Sequence, residues 1–187
     1  RWALNSCEER AEPCISAKHL VQGFLFALIF SSVIMPLAMK QVYIASDHAG
    51  FDRKEVLKVH LEQRGFDVKD FGPARLNPKD DYPDFAHPLA KAASADKVPG
   101  ILLCGNAEGV CIVANKVKGV RAALGYSVSS AKTSRNDDDT NVLCVPGREL
   151  TDQQAKDIVD TWLATPFSGD ERHVRRLKKL TDIETQS

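Results

Sequence analysis

The residue best placed to do chemistry is Cys104, which ends a short apolar run and precedes a glycine-flanked loop, Gly105–Gly109. A helix is predicted to begin at Val110, so the loop joins a buried strand to a helix. Backbone N–H groups in such a loop can hold an anion. A thiol beside them could take a proton from a carbon acid while the loop holds the resulting enediolate oxygen. The alternative is an inert core cysteine in a glycine-rich turn, because free cysteine is usually buried.

The elements that would position this thiol alternate regularly from Met39 onward. Short β-rich segments predict strands at 41–45, 66–71, 100–104, 120–124 and 141–145. Amphipathic segments predict helices at 50–64, 83–95, 110–117, 127–136, 151–164 and 171–180. Several strands are apolar on both faces, which is typical of a parallel sheet covered on both sides. The predicted fold class is therefore α/β, a three-layer αβα sandwich with a five-stranded parallel sheet.

Ligands in such folds lie at the carboxyl ends of the strands. That rule selects three segments, Ser46–His48, Cys104–Gly109 and Pro146–Arg148. For the first of them a simpler interpretation stays open, since Asp47 or Ser46 could cap the following helix and His48 could be a surface residue.

Two acidic segments have both a chemical and a structural interpretation. In Asp80–Phe85, Tyr82 could stack on or hydrogen-bond a small polar ligand, or the carboxylates could cap a helix. In Asn136–Asn141, three carboxylates precede a strand, and a helix-to-strand turn explains at least one of them. The spacing is not that of a calcium loop, and no metal site is predicted.

The basic segment near the carboxyl terminus could bind phosphate. Arg172 and Arg176 are four residues apart, so on a helix they share a face and could grip one phosphate with bidentate bonds. A solvated helix paired to Asp170 and Glu171 is the alternative. The patch is short and lacks interleaved aromatic residues, which argues against nucleic acid.

Composition narrows the classes of function. The 187 residues are most consistent with one domain, and 25 basic residues balance 25 acidic ones, so a global basic field for nucleic acid is absent. The five cysteines form no CxxC pair and no zinc spacing. Their odd number and apolar neighbours predict reduced thiols and a cytoplasmic protein.

The first 38 residues do not match the rest of the chain. Residues 20–38 form a mostly apolar run that contains Gln22, two serines and Pro36. We expect residues 39–187 to form the folded domain and residues 1–38 to be an extension outside it. A targeting segment or a membrane anchor is the alternative, and only in that case is a membrane partner expected.

Taken together, the motifs resemble those of the type B ribose-5-phosphate isomerases, in the wider family that includes the galactose-6-phosphate isomerase subunits. The matching elements occur in the family's order and cover Met39–Glu184. They are I-A-S-D-H-A-G-F from Ile44, D-Y-P-D-F from Asp81, I-L-L-C-G from Ile101, A-N-K-V-x-G-V-R-A-A from Ala114 and T-P-F-S-G-D-E-R-H-V-R-R from Thr165.

The resemblance implies a Rossmann-like sandwich and an aldose–ketose isomerase of a phosphorylated sugar, most simply ribose 5-phosphate, with neither metal nor cofactor. It implies a homodimer, or a dimer of dimers, in which two subunits share each active site. By position, Cys104 matches the catalytic base, and the enediolate loop matches Gly105, Asn106 and Gly109. Residues lining the sugar match Asp47, His48 and Tyr82, and the phosphate grip matches Arg148, Arg172 and Arg176 together with His48.

Three departures from the family pattern concern the loop and the ring-opening residue. The loop is commonly C-G-T-G-x-G, whereas here Ala107 replaces a glycine and Glu108 adds a carboxylate, which a first-turn helix position facing solvent would also explain. The usual His-Asn pair is Asp137-Asp138, so Asp137 is predicted as the catalytic acid for ring opening and Asp138 as a substrate-binding residue. A carboxyl group can act as an acid only with a raised pKa, which like charges nearby could produce.

The departures leave other functions open. The substrate could be an open-chain phosphosugar, or another sugar such as galactose, allose or erythrulose phosphate. A phosphosugar-binding module that has lost catalysis is a second hypothesis. A nucleotide-binding protein is disfavoured, because Ser46–Gly50 supplies no phosphate loop after the first strand.

Overall fold

A computed structural model gives the structure of the protein, and it describes residues 40–186. Five parallel strands form one sheet in the order β2-β1-β3-β5-β4, so β3 is central. The strands are β1 (Gln41–Ser46), β2 (Asp67–Asp70), β3 (Gly100–Cys104), β4 (Ala122–Leu124) and β5 (Val142–Pro146). The helices are α1 (Phe51–Gln63), α2 (Pro83–Asp96), α3 (Glu108–Ala114), α4 (Val128–Asp138), α5 (Asp152–Ala164) and α6 (Glu171–Gln186).

Two apolar clusters, one on each face of the sheet, hold the layers together. On one face α2 and α3 pack against alternate strand residues, among them Leu102 and Cys104. On the other face α1, α4 and α5 pack against Ile101 and Leu103, with Trp162 fully buried. Because β3 and β5 are buried on both faces, they read as continuous apolar runs, and the prediction of a sheet covered on both sides is confirmed.

Helix α5 begins where the sequence predicts. Thr151 caps it, and its hydroxyl accepts a hydrogen bond from the backbone N–H of Gln154 while the Gln154 side chain accepts one from the N–H of Thr151. This reciprocal pair satisfies two N–H groups that the first helical turn leaves without a partner.

Several predicted boundaries were wrong, among them the following three. Helix α3 begins at Glu108 rather than Val110, because the loop turns through a left-handed residue at Ala107. Strand β4 begins only at Ala122, since Val120 closes a turn by donating to the carbonyl of Val117. Helix α6 continues six residues past Leu180, to Gln186.

The predictions for the amino-terminal extension and its apolar run at residues 20–38 lie outside the described residues. Within residues 40–186, no helix is long and apolar enough to cross a membrane.

Candidate active site

Backbone hydrogen bonds join the loops that follow β1, β3 and β5. The Asp47 N–H donates to the carbonyl of Leu103 at 3.2 Å, and the Gly147 N–H donates to the carbonyl of Cys104 at 2.8 Å. The Arg148 N–H donates to the carbonyl of Gly105 at 3.2 Å. The rule that ligand residues gather at the carboxyl ends of parallel strands therefore brings Asp47, Cys104 and Arg148 together.

The approach of these loops leaves no room for a side chain at Gly147. A methyl group there would lie 2.6 Å from the carbonyl oxygen of Ala49 and 3.2 Å from that of Cys104. Contacts this short cannot be made, so glycine is required for the loops after β1 and β5 to meet beside Cys104.

Cys104 is a free thiol with 5% of its surface exposed. Burial raises the pKa of the Cys104 thiol above its usual value, and the negative charge of nearby Asp47 acts in the same direction. Backbone N–H groups of Val110, Ala107 and Asn106 act in the opposite direction and lower the pKa of the thiol. The loop therefore directs N–H donors at the thiol, as an anion-holding loop would, although only Asn106 of these donors was a predicted site residue.

The loop achieves this geometry without the glycine at position 107. Ala107 has φ 67° and ψ −2°, in the left-handed region, and its side chain is fully buried. An alanine tolerates this conformation at a cost of about 1–2 kcal/mol. Glu108 is exposed in the first turn of α3, and its carboxylate accepts from the Asn106 amide at 3.2 Å, which agrees with the alternative of a first-turn residue facing solvent.

Asp47 lies at the site, but it does not cap α1, whose N-cap residue is Gly50, so the capping alternative was wrong. Its Oδ1 atom accepts hydrogen bonds from the N–H groups of Ala49 and Gly50, at 2.9 and 3.0 Å, and so fixes the turn into α1. The residue is 6% exposed, and burial raises the pKa of its carboxyl group. It is close enough to Cys104 to act on the charge of the thiol.

His48 lies at the same edge and is bound by Asp80, which was not a predicted site residue. The Asp80 Oδ1 atom accepts from the backbone N–H of His48 at 2.9 Å and lies 2.7 Å from its ring Nδ1. The acidic segment 80–85 was a candidate in the sequence. His48 and Asp80 are 32 positions apart, so their pairing produces no local sequence pattern.

Tyr82 and Arg148 cover the loop from two sides. A methyl group at Gly109 would lie 2.8 Å from Cζ of Tyr82, so the tyrosine ring rests on the start of α3. A methyl group at Gly105 would lie 3.6 Å from Nη1 of Arg148, which places this guanidinium beside the loop. We call the set around the thiol the strand-end cluster; it consists of Asp47, His48, Asp80, Tyr82, Cys104, the loop Gly105–Gly109 and Arg148.

The remaining predicted site residues lie at the opposite end of the sheet. Asp137 and Asp138 end α4, just before β5 begins at Val142, which pairs with Gly100 at the start of β3. Because β3 is five residues long, about 13 Å of strand separates that end of the sheet from Cys104. Within one chain, therefore, Asp137 and Asp138 do not meet the thiol.

Arg172 and Arg176 lie with these carboxylates, on the first turns of α6. The segment before α6 is bound to the end of α4, where the Ser168 N–H donates to the carbonyl of Asn136 at 3.0 Å. Buried His173 has its Nε2 atom 3.9 Å from Asp137 Oδ1 and its Nδ1 atom 2.7 Å from Ser168 Oγ. We call this set the helix-end cluster; it consists of Asp137, Asp138, Arg172, His173 and Arg176.

The third carboxylate of the acidic run has a structural role. Asp139 is the left-handed residue that ends α4, and it pairs with Arg121 at 2.8 Å and Arg135 at 3.2 Å. This outcome agrees with the turn interpretation for one of the three carboxylates. Among the described residues, no group of histidine, cysteine or carboxylate side chains is arranged to hold a metal ion.

The chain matches proteins of known family over most of its length. The sequence profile of the family described as Ribose/Galactose Isomerase matches residues 42–180. A probable ribose-5-phosphate isomerase B from Mycoplasma genitalium is 44% identical over 148 residues, which are 78% of this chain and 97% of the relative. Ribose-5-phosphate isomerase B from Escherichia coli is 40% identical over 147 residues, 78% of this chain and 97% of the relative.

Solved structures show the same likeness. Ribose-5-phosphate isomerase B from Mycoplasma genitalium with bound ribulose 5-phosphate superposes with a TM-score of 0.76 and 42% identity, and the match covers 79% of this chain and 97% of that one. The type B ribose 5-phosphate isomerase from Trypanosoma cruzi gives a TM-score of 0.75 and 39% identity, covering 79% and 98%.

Proposed function

The chain belongs to the ribose/galactose isomerase family and is an aldose–ketose isomerase of a phosphorylated sugar; we propose that it interconverts ribose 5-phosphate and ribulose 5-phosphate at the strand-end cluster, with Cys104 as the base. The observation that carries the assignment of the base is the free thiol of Cys104, set among backbone N–H donors at the carboxyl end of the central strand.

The thiolate of Cys104 removes the proton from C2 of the open-chain aldose. The C2–H electron pair moves into a C1–C2 double bond, and the carbonyl oxygen on C1 becomes the enediolate oxygen. The thiol then returns the proton to C1, and a proton moves from the C2 oxygen to the C1 oxygen, which leaves a ketone at C2. Atoms and electrons balance without a redox partner, so the proposed reaction needs no redox cofactor.

The loop after Cys104 supplies the electrostatic stabilisation. Its N–H groups at Asn106 and Ala107 lower the pKa of the Cys104 thiol, and they would stabilise negative charge on either the thiolate or the enediolate oxygen. Gly109 lets Tyr82 approach the loop, and Arg148 lies beside Gly105. Asp47, beside the thiol, is placed to hydrogen-bond the sugar.

The phosphate is proposed to be bound by His48 and Arg148 of one chain and by Arg172 and Arg176 of a second copy. In a single chain Arg172 and Arg176 lie at the other end of the sheet from His48 and Arg148. A two-fold dimer can bring the helix-end cluster of one copy to the strand-end cluster of the other. Exposed apolar side chains on several elements support such an interface; Ile112, Tyr126, Val174 and Leu180 are 62%, 68%, 49% and 49% exposed.

Asp137 and Asp138 are proposed to reach the sugar from the same second copy. Asp137 would donate the proton that opens the furanose ring, and Asp138 would bind a hydroxyl group. The Asp137 side chain is 42% exposed, so it is accessible to a neighbouring copy.

A cytoplasmic location and a folded domain beginning at Met39 complete the proposal. The three described cysteines, Cys104, Cys111 and Cys144, are free, which fits a reducing compartment.

The test is an isomerase assay of the full chain with ribose, allose, galactose and erythrulose phosphates, in parallel with Cys104→Ala. Turnover of ribose 5-phosphate that is lost in the variant supports the proposal. Turnover of another phosphosugar alone would keep the mechanism and replace the substrate. Phosphosugar binding without any turnover would show a binding module and contradict the proposal.

A further inference from the structure

The inference concerns Asp80, whose carboxylate makes two contacts with one histidine. Its Oδ1 atom takes the backbone N–H of His48 at 2.9 Å and lies 2.7 Å from the ring Nδ1. The two contacts fix both the start of the loop after β1 and the orientation of the imidazole. Because Nδ1 faces Asp80, Nε2 lies on the other side of the ring, and the His48 side chain is 33% exposed.

The second oxygen of Asp80 indicates that this carboxylate needs a positive charge nearby. The Asp80 side chain is only 6% exposed, and its Oδ2 atom is buried without a hydrogen-bond partner. Burying a carboxylate with an unsatisfied oxygen is costly unless a positive charge compensates it. His48 is the cationic partner that the structure provides for Asp80.

We propose that Asp80 is a positioning residue for substrate binding, which holds the imidazole of His48 as a cation with Nε2 directed at the phosphate of the sugar. The proposal rests on the proposed function, because it assigns a positioning residue to the phosphate grip of that same site. The ligand chemistry is a phosphate monoester dianion, and an imidazolium binds it with a charge-assisted hydrogen bond.

The charges around the ring agree with this assignment. The hydrogen bond that the His48 ring donates to Asp80 raises the pKa of His48, partial desolvation opposes it, and the charge of Asp47 adds to the rise. From the loops that follow β3 and β5, the groups at the same edge are Cys104 and Arg148. The folded pKa of His48 lies above its ordinary value, so the cation is present at low pH and is lost as pH rises through this raised pKa. Phosphate binding should weaken over the same range.

The competing explanation is that Asp80 only anchors the segment 71–82. Asp80→Asn separates the two, because the amide oxygen can still accept from the His48 N–H and from Nδ1–H while the negative charge is gone. A loop anchor would survive this change, whereas a residue that keeps His48 cationic would not. Asp80→Ala removes both contacts and serves as the second variant.

The experiment measures KM and kcat for ribose 5-phosphate against pH in the wild type, Asp80→Asn and the matched control Asp81→Asn, which removes a neighbouring exposed carboxylate. Histidine NMR titrations, with and without sulfate as a phosphate mimic whose charge is constant, follow His48 directly. His60, which pairs with Asp160 at 3.0 Å, is the internal reference for these titrations.

We expect Asp80→Asn to raise KM about tenfold near neutral pH, the difference between a charged and a neutral hydrogen bond to phosphate, with kcat unchanged. In Asp80→Asn the rise of KM with pH should begin at a lower pH than in the wild type, and the His48 titration should move to lower pH with it. The change that sulfate causes in the His48 titration should also become smaller. Asp81→Asn should match the wild type.

An unchanged His48 titration and an unchanged KM profile in Asp80→Asn would overturn the proposal, and a loss of thermal stability confined to Asp80→Ala would then identify a loop anchor. The NMR and sulfate measurements need no turnover. A wild type that isomerises no phosphosugar would therefore contradict the proposed function while the role of Asp80 is still decided.

Discussion

The strand-end cluster and the helix-end cluster differ in how much of their geometry one chain provides. The first is built by backbone hydrogen bonds between three loops, and Asp47, Cys104 and the side chain of Asp80 are at most 6% exposed. The second lies where the end of α4 meets the start of α6, and its Arg172 and Asp137 side chains are 62% and 42% exposed. The difference shows that a single chain preorganises the surroundings of the Cys104 thiol, and it leads us to propose that a second copy completes the phosphate grip.

The strongest test of this contrast is Cys104→Ala in the strand-end cluster. Removing a general base should lower kcat by about 10²–10⁴-fold, while phosphosugar binding is nearly retained because the phosphate contacts are intact. Steady-state kinetics and calorimetric binding measure the two quantities. Cys111→Ala is the matched control, since it removes another free thiol that packs on the same face of the sheet. A variant with wild-type kcat would remove Cys104 from the mechanism.

The corresponding change in the helix-end cluster is Arg172→Ala with Arg176→Ala. Losing two charge-assisted contacts should raise KM for a phosphosugar about 100-fold, with little effect on thermal stability because both side chains are exposed. Substrate-saturation curves and thermal unfolding give the two readouts. Arg175→Ala, which removes an equal charge from the same helix, should leave KM unchanged; equal effects of Arg175 and the pair would contradict a specific grip.

The pH dependence of turnover sharpens the assignment of the base. Burial raises the pKa of Cys104, so in the free protein the thiol is protonated at neutral pH and the active thiolate forms only as pH rises. We expect kcat, measured at saturating substrate so that the loss of the His48 cation does not contribute, to increase with pH until this raised pKa is passed. A pH–rate profile that falls over that range would argue against a thiolate base.

The smallest effect is expected at Ala107, where the strand-end loop is set by backbone conformation. Ala107→Gly relieves the left-handed strain but removes a buried methyl group, and these contributions, each about 1 kcal/mol, nearly cancel. Ala107→Val, with a branched side chain at φ 67°, should lower both stability and turnover. Thermal unfolding and kcat measure the pair, and equal behaviour of the two variants would show that the loop conformation is not critical.

The sequence was sufficient to predict the sheet, because its strands can be recognised from local residue patterns. The segment Gly100–Cys104 is apolar throughout and lies at the centre of the sheet, as a doubly covered strand must. One of the boundaries that were missed depends on a single residue acting against the pattern. Ala107 adopts a conformation that alanine rarely takes, so the earlier start of α3 could not be read from residue types.

The candidate-site residues that directly follow a strand were predicted from the sequence. The contact that depends on how distant segments meet was missed. Asp47, Cys104 and Arg148 follow from the rule about strand ends, whereas the pairing of His48 with Asp80 depends on how the segment 71–82 folds back. The separation of Asp137 from Cys104 follows from chain direction, since a helix that leaves the carboxyl end of one strand ends at the amino end of the next.

The most direct test of the shared site is complementation between inactive variants. Cys104→Ala and the double variant Arg172→Ala/Arg176→Ala are purified, mixed, allowed to exchange subunits, and assayed with ribose 5-phosphate well below KM. If each site takes Cys104 from one copy and the arginines from another, mixed dimers contain one intact site, and about one quarter of the wild-type activity should return. No recovery, with mixed dimers shown by native mass spectrometry, would contradict a site shared between two copies.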